Sequence, residues 1–219
     1  MKCRLRAVFY WIVFICSMLK PLILPSDGTP TYFPGARLRY FDSFFTEKEA
    51  EVHFNQLLKE TPWQQDPITV FGKTYAQPRL TALYANNSLP YSYSGITMHP
   101  HQMTPLLSQI QERIHQVCDT QFTTVLLNHY RDGKDSNGWH ADNEKELGKN
   151  PVIASVSFGA ERFFHLKHRE QKELCLKILL KKGSLLLMEG ETQTHWLHQI
   201  AKTARPLGSR INLTFRKII

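Results

Sequence analysis

The chain has 219 residues, of which 42% are hydrophobic and 11% aromatic, and it carries a net charge of +8. This length and composition are sufficient for one domain with a buried core, and they exclude a fibrous or an intrinsically disordered chain. Half of the net charge lies in the first twenty residues, which contain no acid, so the rest of the chain is mildly basic. That bias is compatible with a nucleic-acid partner without requiring one.

The cysteines indicate the redox environment. They form no CxxC pair and no metal-binding spacing. Their positions are Cys3, Cys16, Cys118 and Cys175. We interpret them as free thiols in a reducing compartment, which favours an intracellular protein, cytoplasmic or nuclear.

Residues 1–27 form an N-terminal extension in which basic residues precede an apolar run from Ala7 to Leu19. This run is shorter than a membrane span, which takes about 20 residues. It has the length of a signal-peptide core, yet a Lys-Pro pair follows it instead of a small-residue cleavage site. Two interpretations stay open. Residues 1–17 are an artefact of the gene model and Met18 is the true start, or the extension is a membrane anchor or export signal.

The next elements are a connecting segment and two helices. Residues 28–38 are rich in Pro, Gly, Thr and Tyr, which predicts a connection. A helix is predicted from Thr46, because Thr46 and Glu49 form a capping box ahead of an apolar stripe. That stripe consists of Ala50, Phe54, Leu57 and Leu58. A second helix is predicted from Pro105, with Thr104 as its N-cap. Its stripe consists of Leu107, Ile110, Ile114 and Val117.

From Phe122 onwards the sequence changes to short runs rich in apolar and β-branched residues. They are FTTVLLNHY, VIASVSFGAERFFHLKH, CLKILLKKGSLLLMEG and RINLTFRKI. Four such runs separated by Gly, Asn, Asp and Lys predict a β-barrel or β-sandwich. The predicted fold class is therefore mainly β with α, with the helices first and the β core after them.

The stretch NGWHADNE places His140 and Asp142 two positions apart. On an extended backbone, residues two apart point to the same side, so this pair can offer an imidazole and a carboxylate to one ion. A second histidine would complete the 2-His-1-carboxylate triad that binds Fe(II). The stretch QTHWLHQI offers His195 and His198, and spacing alone does not choose between them. Without a third ligand, the pair is explained as two polar loop residues facing water.

The C-terminal run RINLTFRKI has one polar face. That face carries Arg210, Asn212, Thr214 and Arg216. One explanation is an amphipathic edge strand with its arginines in solvent. The other is a clamp, because two arginines on one face can hold both ends of a dicarboxylate by bidentate bonds. A small diacid beside an iron is 2-oxoglutarate. Asn128 and Tyr130 share a face and can donate hydrogen bonds to such a ligand, unless they form only the polar end of a strand.

Six motifs in this order carry a resemblance to a known family. They are NHYRDG, WHADNEKEL, ASVSFGAERFF, GSLLLM, THWLH and RINLTFRKI. From about Pro67 to Ile218 the chain resembles the AlkB family of Fe(II)- and 2-oxoglutarate-dependent dioxygenases, and most closely its branch that repairs duplex DNA. The resemblance implies a dioxygenase domain at 28–219 with a double-stranded β-helix, or jelly-roll, core at about 120–219. It also implies N-terminal helices outside that core and a nucleotide-recognition lid at about 67–104.

The resemblance also assigns the metal and cosubstrate sites. The implied iron ligands are His140, Asp142 and His198, which excludes His195. The residues implied to bind 2-oxoglutarate are Asn128, Tyr130, Arg210, Asn212 and Arg216. Among these, Arg210 matches the family's contact with the distal carboxylate, and Arg216 falls near the iron-bound end.

The activity implied by the resemblance is oxidative demethylation of N1-methyladenine and N3-methylcytosine in DNA. It consumes O2 and 2-oxoglutarate and releases succinate, CO2 and formaldehyde. These methyl groups lie on the Watson–Crick edge, so the base must leave the stack. We expect a monomer without an obligate protein partner. An RNA demethylase of the same family and a catalytically silent nucleic-acid-binding module are the alternatives.

Five residues are implied to contact the substrate. Phe71 would fill the gap left by the flipped base. Tyr91 and Tyr93 would line the base pocket, Glu144 would read the exocyclic amine, and Arg79 would contact phosphates. Alternatively, the two tyrosines are alternating residues of a half-buried strand, and Phe71 is an ordinary hairpin residue.

Overall fold

The computed structural model describes four stretches of the chain. They are residues 21–70, 73–87, 91–93 and 96–219, with only the backbone described for 68–70, 73, 91–93 and 96–97. The apolar run from Ala7 to Leu19 therefore lies outside the described residues. Within them, no helix combines the length and the apolar character needed to cross a membrane.

Sixteen strands, three α-helices and one short 3-10 helix (Lys145–Leu147) make up the described secondary structure. The early strands are β1 (Thr31–Phe33), β2 (Ala36–Phe41), β3 (Pro67–Val70), β4 (Lys73–Ala76), β5 (Leu80–Ala85), β6 (Tyr91–Tyr93), β7 (Ile96–Met98) and β8 (His101–Gln102). The later strands are β9 (Thr124–Tyr130), β10 (Asn137–His140), β11 (Ile153–Gly159), β12 (Arg162–His168), β13 (Cys175–Leu180), β14 (Leu185–Glu189), β15 (Trp196–Ile200) and β16 (Arg210–Arg216). The helices are α1 (Glu47–Glu60), α2 (Pro105–His115) and the single turn α3 (Thr192–His195).

Two sheets form the body of the protein. The major sheet has the strand order β1-β2-β14-β11-β16-β9-β5-β8, and the minor sheet has the order β10-β15-β12-β13. All pairs are antiparallel except the parallel pair of β5 and β8. The hairpins β3-β4 and β6-β7 stand apart from both sheets, in the region predicted as a lid.

Two apolar cores hold these layers together. One core joins α1 and α2 to the outer face of the major sheet, where Leu107 of α2 and Leu213 of β16 are fully buried. The other core joins the two sheets, with Leu186 of the major sheet packed in the same cluster as Leu166 of the minor sheet. Helices outside a pair of facing antiparallel sheets form the jelly-roll arrangement implied by the resemblance, and the predicted fold class is confirmed.

Both predicted helices begin at their predicted caps. The Thr46 side chain accepts from the backbone N–H of Glu49, and the Glu49 side chain accepts from the Thr46 N–H, so the capping box is confirmed. The Thr104 side chain caps α2 in the same position. The buried face of α1 is narrower than predicted, because Leu58 is exposed.

The interpretation of residues 28–38 as a connection is wrong. Pro34 and Gly35 form the turn of the hairpin β1-β2, and β2 pairs with β14 in the major sheet. Leu38 of β2 is fully buried in the inter-sheet core. The folded unit begins before residue 28, since the Leu22 N–H donates to the carbonyl of Lys177 at 2.7 Å.

Candidate metal and cosubstrate site

Strand pairing brings two histidines together between the sheets. His140 ends β10 and lies directly opposite His198 of β15, with ring centroids 4.3 Å apart. Asp142 follows two residues later and is buried. One ligand atom from each of these three side chains lies within 4.8 Å of the others. His195 lies elsewhere, on α3, with its ring stacked on that of His168.

Burial favours the neutral form of both facing histidines. The Nδ1 atom of His140 lies 2.7 Å from the carbonyl of Gly138, so Nδ1–H donates and the lone pair is on Nε2, which accepts from the Asn137 side-chain amide at 3.1 Å. Burial lowers the pKa of His140. Burial and the neighbouring His140 lower the pKa of His198 to about 3. Neutral imidazoles are the form that binds a metal ion.

Asp142 is the charged member of the group. Burial alone would raise its pKa, but the positive charge of Arg216 outweighs burial and lowers the pKa to about 2. The Arg216 Nη2 atom donates to Asp142 Oδ1 at 2.8 Å. Two neutral imidazoles and one carboxylate are the ligand set of non-haem Fe(II) oxygenases, so these residues fit the iron predicted from the sequence.

Arg210 provides a buried positive charge in the same cavity. It is 1% exposed, and its Nη2 atom donates to Ser157 Oγ at 3.0 Å. Its Nε and Nη1 atoms make no hydrogen bond within the described part of the chain. Burial lowers the pKa of Arg210 to about 10, which still leaves it charged at neutral pH. A buried guanidinium with two open donors is stabilised by binding an anion, and a carboxylate of 2-oxoglutarate is such an anion.

The edge-strand explanation of RINLTFRKI is wrong. Strand β16 lies inside the major sheet, between β11 and β9, and both of its faces are buried. Its apolar side chains face the helices, and its polar side chains face the inter-sheet cavity. The Asn212 amide donates to Ser155 Oγ at 2.8 Å and to the Val156 carbonyl at 2.9 Å, so it is held in place.

A cavity of about 420 Å³ joins these groups. The predicted metal and cosubstrate residues all line it, namely Asn128, Tyr130, His140, Asp142, His198, Arg210, Asn212 and Arg216. Glu144 and Arg79, predicted to contact substrate, line it as well. The cavity is therefore large enough for a small diacid together with part of a second molecule.

The predicted phosphate contact of Arg79 does not fit its position. Arg79 is 5% exposed, and its Nε atom donates to Asn128 Oδ1 at 2.7 Å. A phosphate backbone lies over the protein surface, whereas this guanidinium is inside the cavity. Phe71 and the side chains of Tyr91 and Tyr93 lie outside the described atoms.

Sequence reasoning missed one residue that lines the cavity and two that hold lining residues in place. Ser157 anchors Arg210, Gln193 binds the backbone of Asp142, and Gln77 lines the cavity beside Arg79. The alternation of Ser155 and Ser157 on β11 could have indicated a polar inner face. No local signal marks the two glutamines.

The site and fold together define an iron-dependent oxygenase scaffold, and comparison with known proteins agrees. Residues 37–216 match the 2OG-Fe(II) oxygenase superfamily. The solved structure of OsALKBH1 superposes with a TM-score of 0.62 at 15% identity, covering 85% of this chain and 100% of that one. At that identity the likeness concerns the fold alone.

Curated relatives narrow the family. The alpha-ketoglutarate-dependent dioxygenase alkB homolog 3 of Mus musculus is 42% identical over 84% of this chain and 66% of its own length. The DNA oxidative demethylase ALKBH2 of Mus musculus is 38% identical over 80% of this chain and 77% of its own length. The chain spans slightly less than two thirds of the alkB homolog 3 proteins that it matches. It belongs to the AlkB-like family of 2OG-Fe(II) oxygenases.

Proposed function

We propose that this protein uses Fe(II), O2 and 2-oxoglutarate to demethylate N1-methyladenine and N3-methylcytosine in DNA. The observation that carries the proposal is the single cavity in which the His140, Asp142 and His198 cluster meets the open donors of Arg210. A metal ligand set and a carboxylate receptor in one cavity are what a 2-oxoglutarate-dependent oxygenase requires. When bound at His140, Asp142 and His198, Fe(II) would activate O2, which is the oxidant for the methyl group.

The remaining chemistry depends on positioning by the protein. Arg210 holds one carboxylate of 2-oxoglutarate, and Ser157 fixes the direction of its guanidinium. His140 and His198 stay unprotonated because burial lowers the pKa of each. The apolar wall formed by Phe164 and Met188 limits the water that reaches the reacting groups.

The substrate class rests on the outer part of the cavity and on the relatives. The relative ALKBH2 is named as a DNA oxidative demethylase, and it is 38% identical to this chain. Glu144 gives the cavity a carboxylate beside the metal ligands. Both proposed bases are cations with an exocyclic amine, so a carboxylate can accept a hydrogen bond from that amine and favour the positive charge.

The direct test is incubation of the purified chain with Fe(II), ascorbate, 2-oxoglutarate and oligonucleotides that carry one methylated base. We expect succinate and formaldehyde in equal amounts together with the restored base, and no product from the His140→Ala variant. Unchanged methylated DNA, single- or double-stranded, with active cosubstrate turnover would reject DNA as the substrate.

Parallel RNA oligonucleotides of the same sequence test the first alternative. Faster repair of RNA than of DNA would favour the RNA demethylase. The Phe71→Ala variant then tests the predicted wedge, and we expect it to lose activity on duplex DNA while keeping activity on single strands.

A catalytically silent binding module is the second alternative. Such a module has no need for buried Arg210 donors or for a neutral histidine pair. Metal analysis and release of succinate from 2-oxoglutarate without DNA distinguish the two, because a silent module gives neither bound iron nor succinate.

A further inference from the structure

The backbone pairing between the two strands that carry the histidines stops short of the third ligand. The strands β10 and β15 pair at His140 and His198, and their register shifts between Asn137 and His140. Asp142 lies beyond the end of β10, in a segment without regular secondary structure. Its position therefore needs contacts other than the sheet ladder.

Gln193 supplies such a contact to the Asp142 backbone. The side chain of Gln193 is fully buried, and its Oε1 atom accepts from the Asp142 N–H at 2.9 Å. Its Nε2 atom donates to the sulfur of Met188 at 3.5 Å. Both ends of the amide are thus engaged, so the orientation of the amide is fixed.

This contact links two ligand-bearing segments. Gln193 lies on α3, which leads directly into β15 and His198. Its bond to Asp142 joins residues that are 51 positions apart in the chain. While Arg216 holds the carboxylate of Asp142, Gln193 holds its backbone.

We infer that Gln193 is a positioning residue that fixes Asp142 relative to His198 and thereby sets the geometry and affinity of the metal site. Gln193 is not among the residues that line the cavity, so it acts through Asp142. The inference rests on the metal site of the proposed function and is independent of the nucleic-acid substrate. Residues that orient metal ligands in this way typically change metal affinity by about 10- to 100-fold when they are replaced.

The test replaces Gln193 by Met, which has a similar length and no strong acceptor. The full chain is stripped of metal and titrated with Co(II), whose visible absorption reports the arrangement of its ligands. We expect Gln193→Met to bind Co(II) at least about tenfold more weakly than the unchanged protein and with an altered spectrum. The matched control is Gln199→Met, because Gln199 lies on the same strand as His198 but points away from the cavity, next to His165.

Thermal unfolding of the metal-free proteins separates positioning from loss of fold. If Gln193→Met does not fold, Gln193→Asn replaces it, because the shortened amide no longer reaches the Asp142 nitrogen. An unchanged Co(II) affinity and spectrum in a folded variant overturns the inference while leaving the proposed function intact. Failure of the unchanged protein to bind Co(II) overturns both.

Discussion

Arg216 donates to Asp142 at 2.8 Å, and both side chains are almost completely buried. The pair connects the end of the central strand β16 to the metal-binding segment after β10. It gives the carboxylate a cation before any metal arrives, which explains why the pKa of Asp142 falls to about 2 although burial opposes ionisation. Removing one partner of a buried ion pair strongly destabilises the fold, because the other charge stays buried without compensation.

The Arg216→Met variant removes the cation and leaves the buried carboxylate uncompensated. We expect the free energy of unfolding of the metal-free protein to fall by about 3 kcal/mol, measured by urea unfolding at neutral pH. Lys217→Met is the control, since Lys217 is exposed on the adjacent position and its replacement should change stability by less than about 0.5 kcal/mol. Equal losses in the two variants would contradict the assigned role of the ion pair.

The Arg210→Lys variant keeps the charge but loses the planar fork of donors. Arg210 has Nε and Nη1 open within the described part of the chain, and a lysine ammonium cannot make the same bidentate contact. We expect KM for 2-oxoglutarate to rise about 10- to 100-fold in steady-state assays, because a charged hydrogen bond contributes about 1.5–3 kcal/mol. The exposed Arg205→Lys change should leave KM unaltered, and a normal KM in Arg210→Lys would exclude Arg210 as the carboxylate receptor.

The helices and strands that were predicted correctly are those marked by residues within the element itself. The capping box of Thr46 and Glu49 fixed the start of α1, because the two residues satisfy each other's backbone groups without outside help. The alternation in RINLTFRKI likewise identified β16. Whether the polar face of this strand is buried depends on the neighbouring strands. The sequence therefore left an edge strand and a clamp as equal explanations.

The hairpin β1-β2 shows why the prediction for residues 28–38 failed. Leu38 and Tyr40 alternate with Arg37 and Arg39, which is a strand pattern, but Pro and Gly content dominated the interpretation. The strand is stabilised by β14, far along the chain, where Glu189 lies 3.2 Å from Arg37. A partner that distant has no local trace in the sequence.

The same limit applies inside the site. Motif matching grouped the metal ligands, yet it placed Arg79 at the phosphates, because only the folded chain brings its guanidinium to Asn128. Gln193 was not singled out at all, since its contact with Asp142 exists only after β10 and β15 pair.

Ionised Glu49 makes the free energy of unfolding depend on pH under acidic conditions. Hydrogen bonds from the Thr46 backbone and from Arg113 lower its pKa from 4.5 to about 2. A pKa lowered by folding means that the stabilisation is complete above about pH 4.5 and disappears as the pH falls towards 2. Glu49→Gln should therefore unfold more easily than the unchanged protein at pH 7, by roughly 1 kcal/mol, because Glu49 is partly exposed and its pairs are screened.

The difference between the two proteins should shrink when unfolding is repeated between pH 5 and pH 3. Glu51→Gln on the same helix is the control, since Glu51 takes no part in the capping box. A stability difference that stays constant over this range would show that the Glu49 carboxylate does not act through its charge.

Replacing Glu144 should lower the rate of demethylation without changing the turnover of 2-oxoglutarate. Glu144 lines the cavity, but it is not one of the three metal ligands and it is not the proposed carboxylate receptor, which is Arg210. In the proposed function, Glu144→Gln loses the negative charge that favours a cationic methylated base, so kcat/KM for demethylation should fall about tenfold or more. Release of succinate in the absence of DNA should stay at its original rate. Glu146→Gln, at an exposed position two residues later, serves as the control and should keep both activities. A parallel loss of succinate release and demethylation in Glu144→Gln would instead assign this residue to the metal and cosubstrate site.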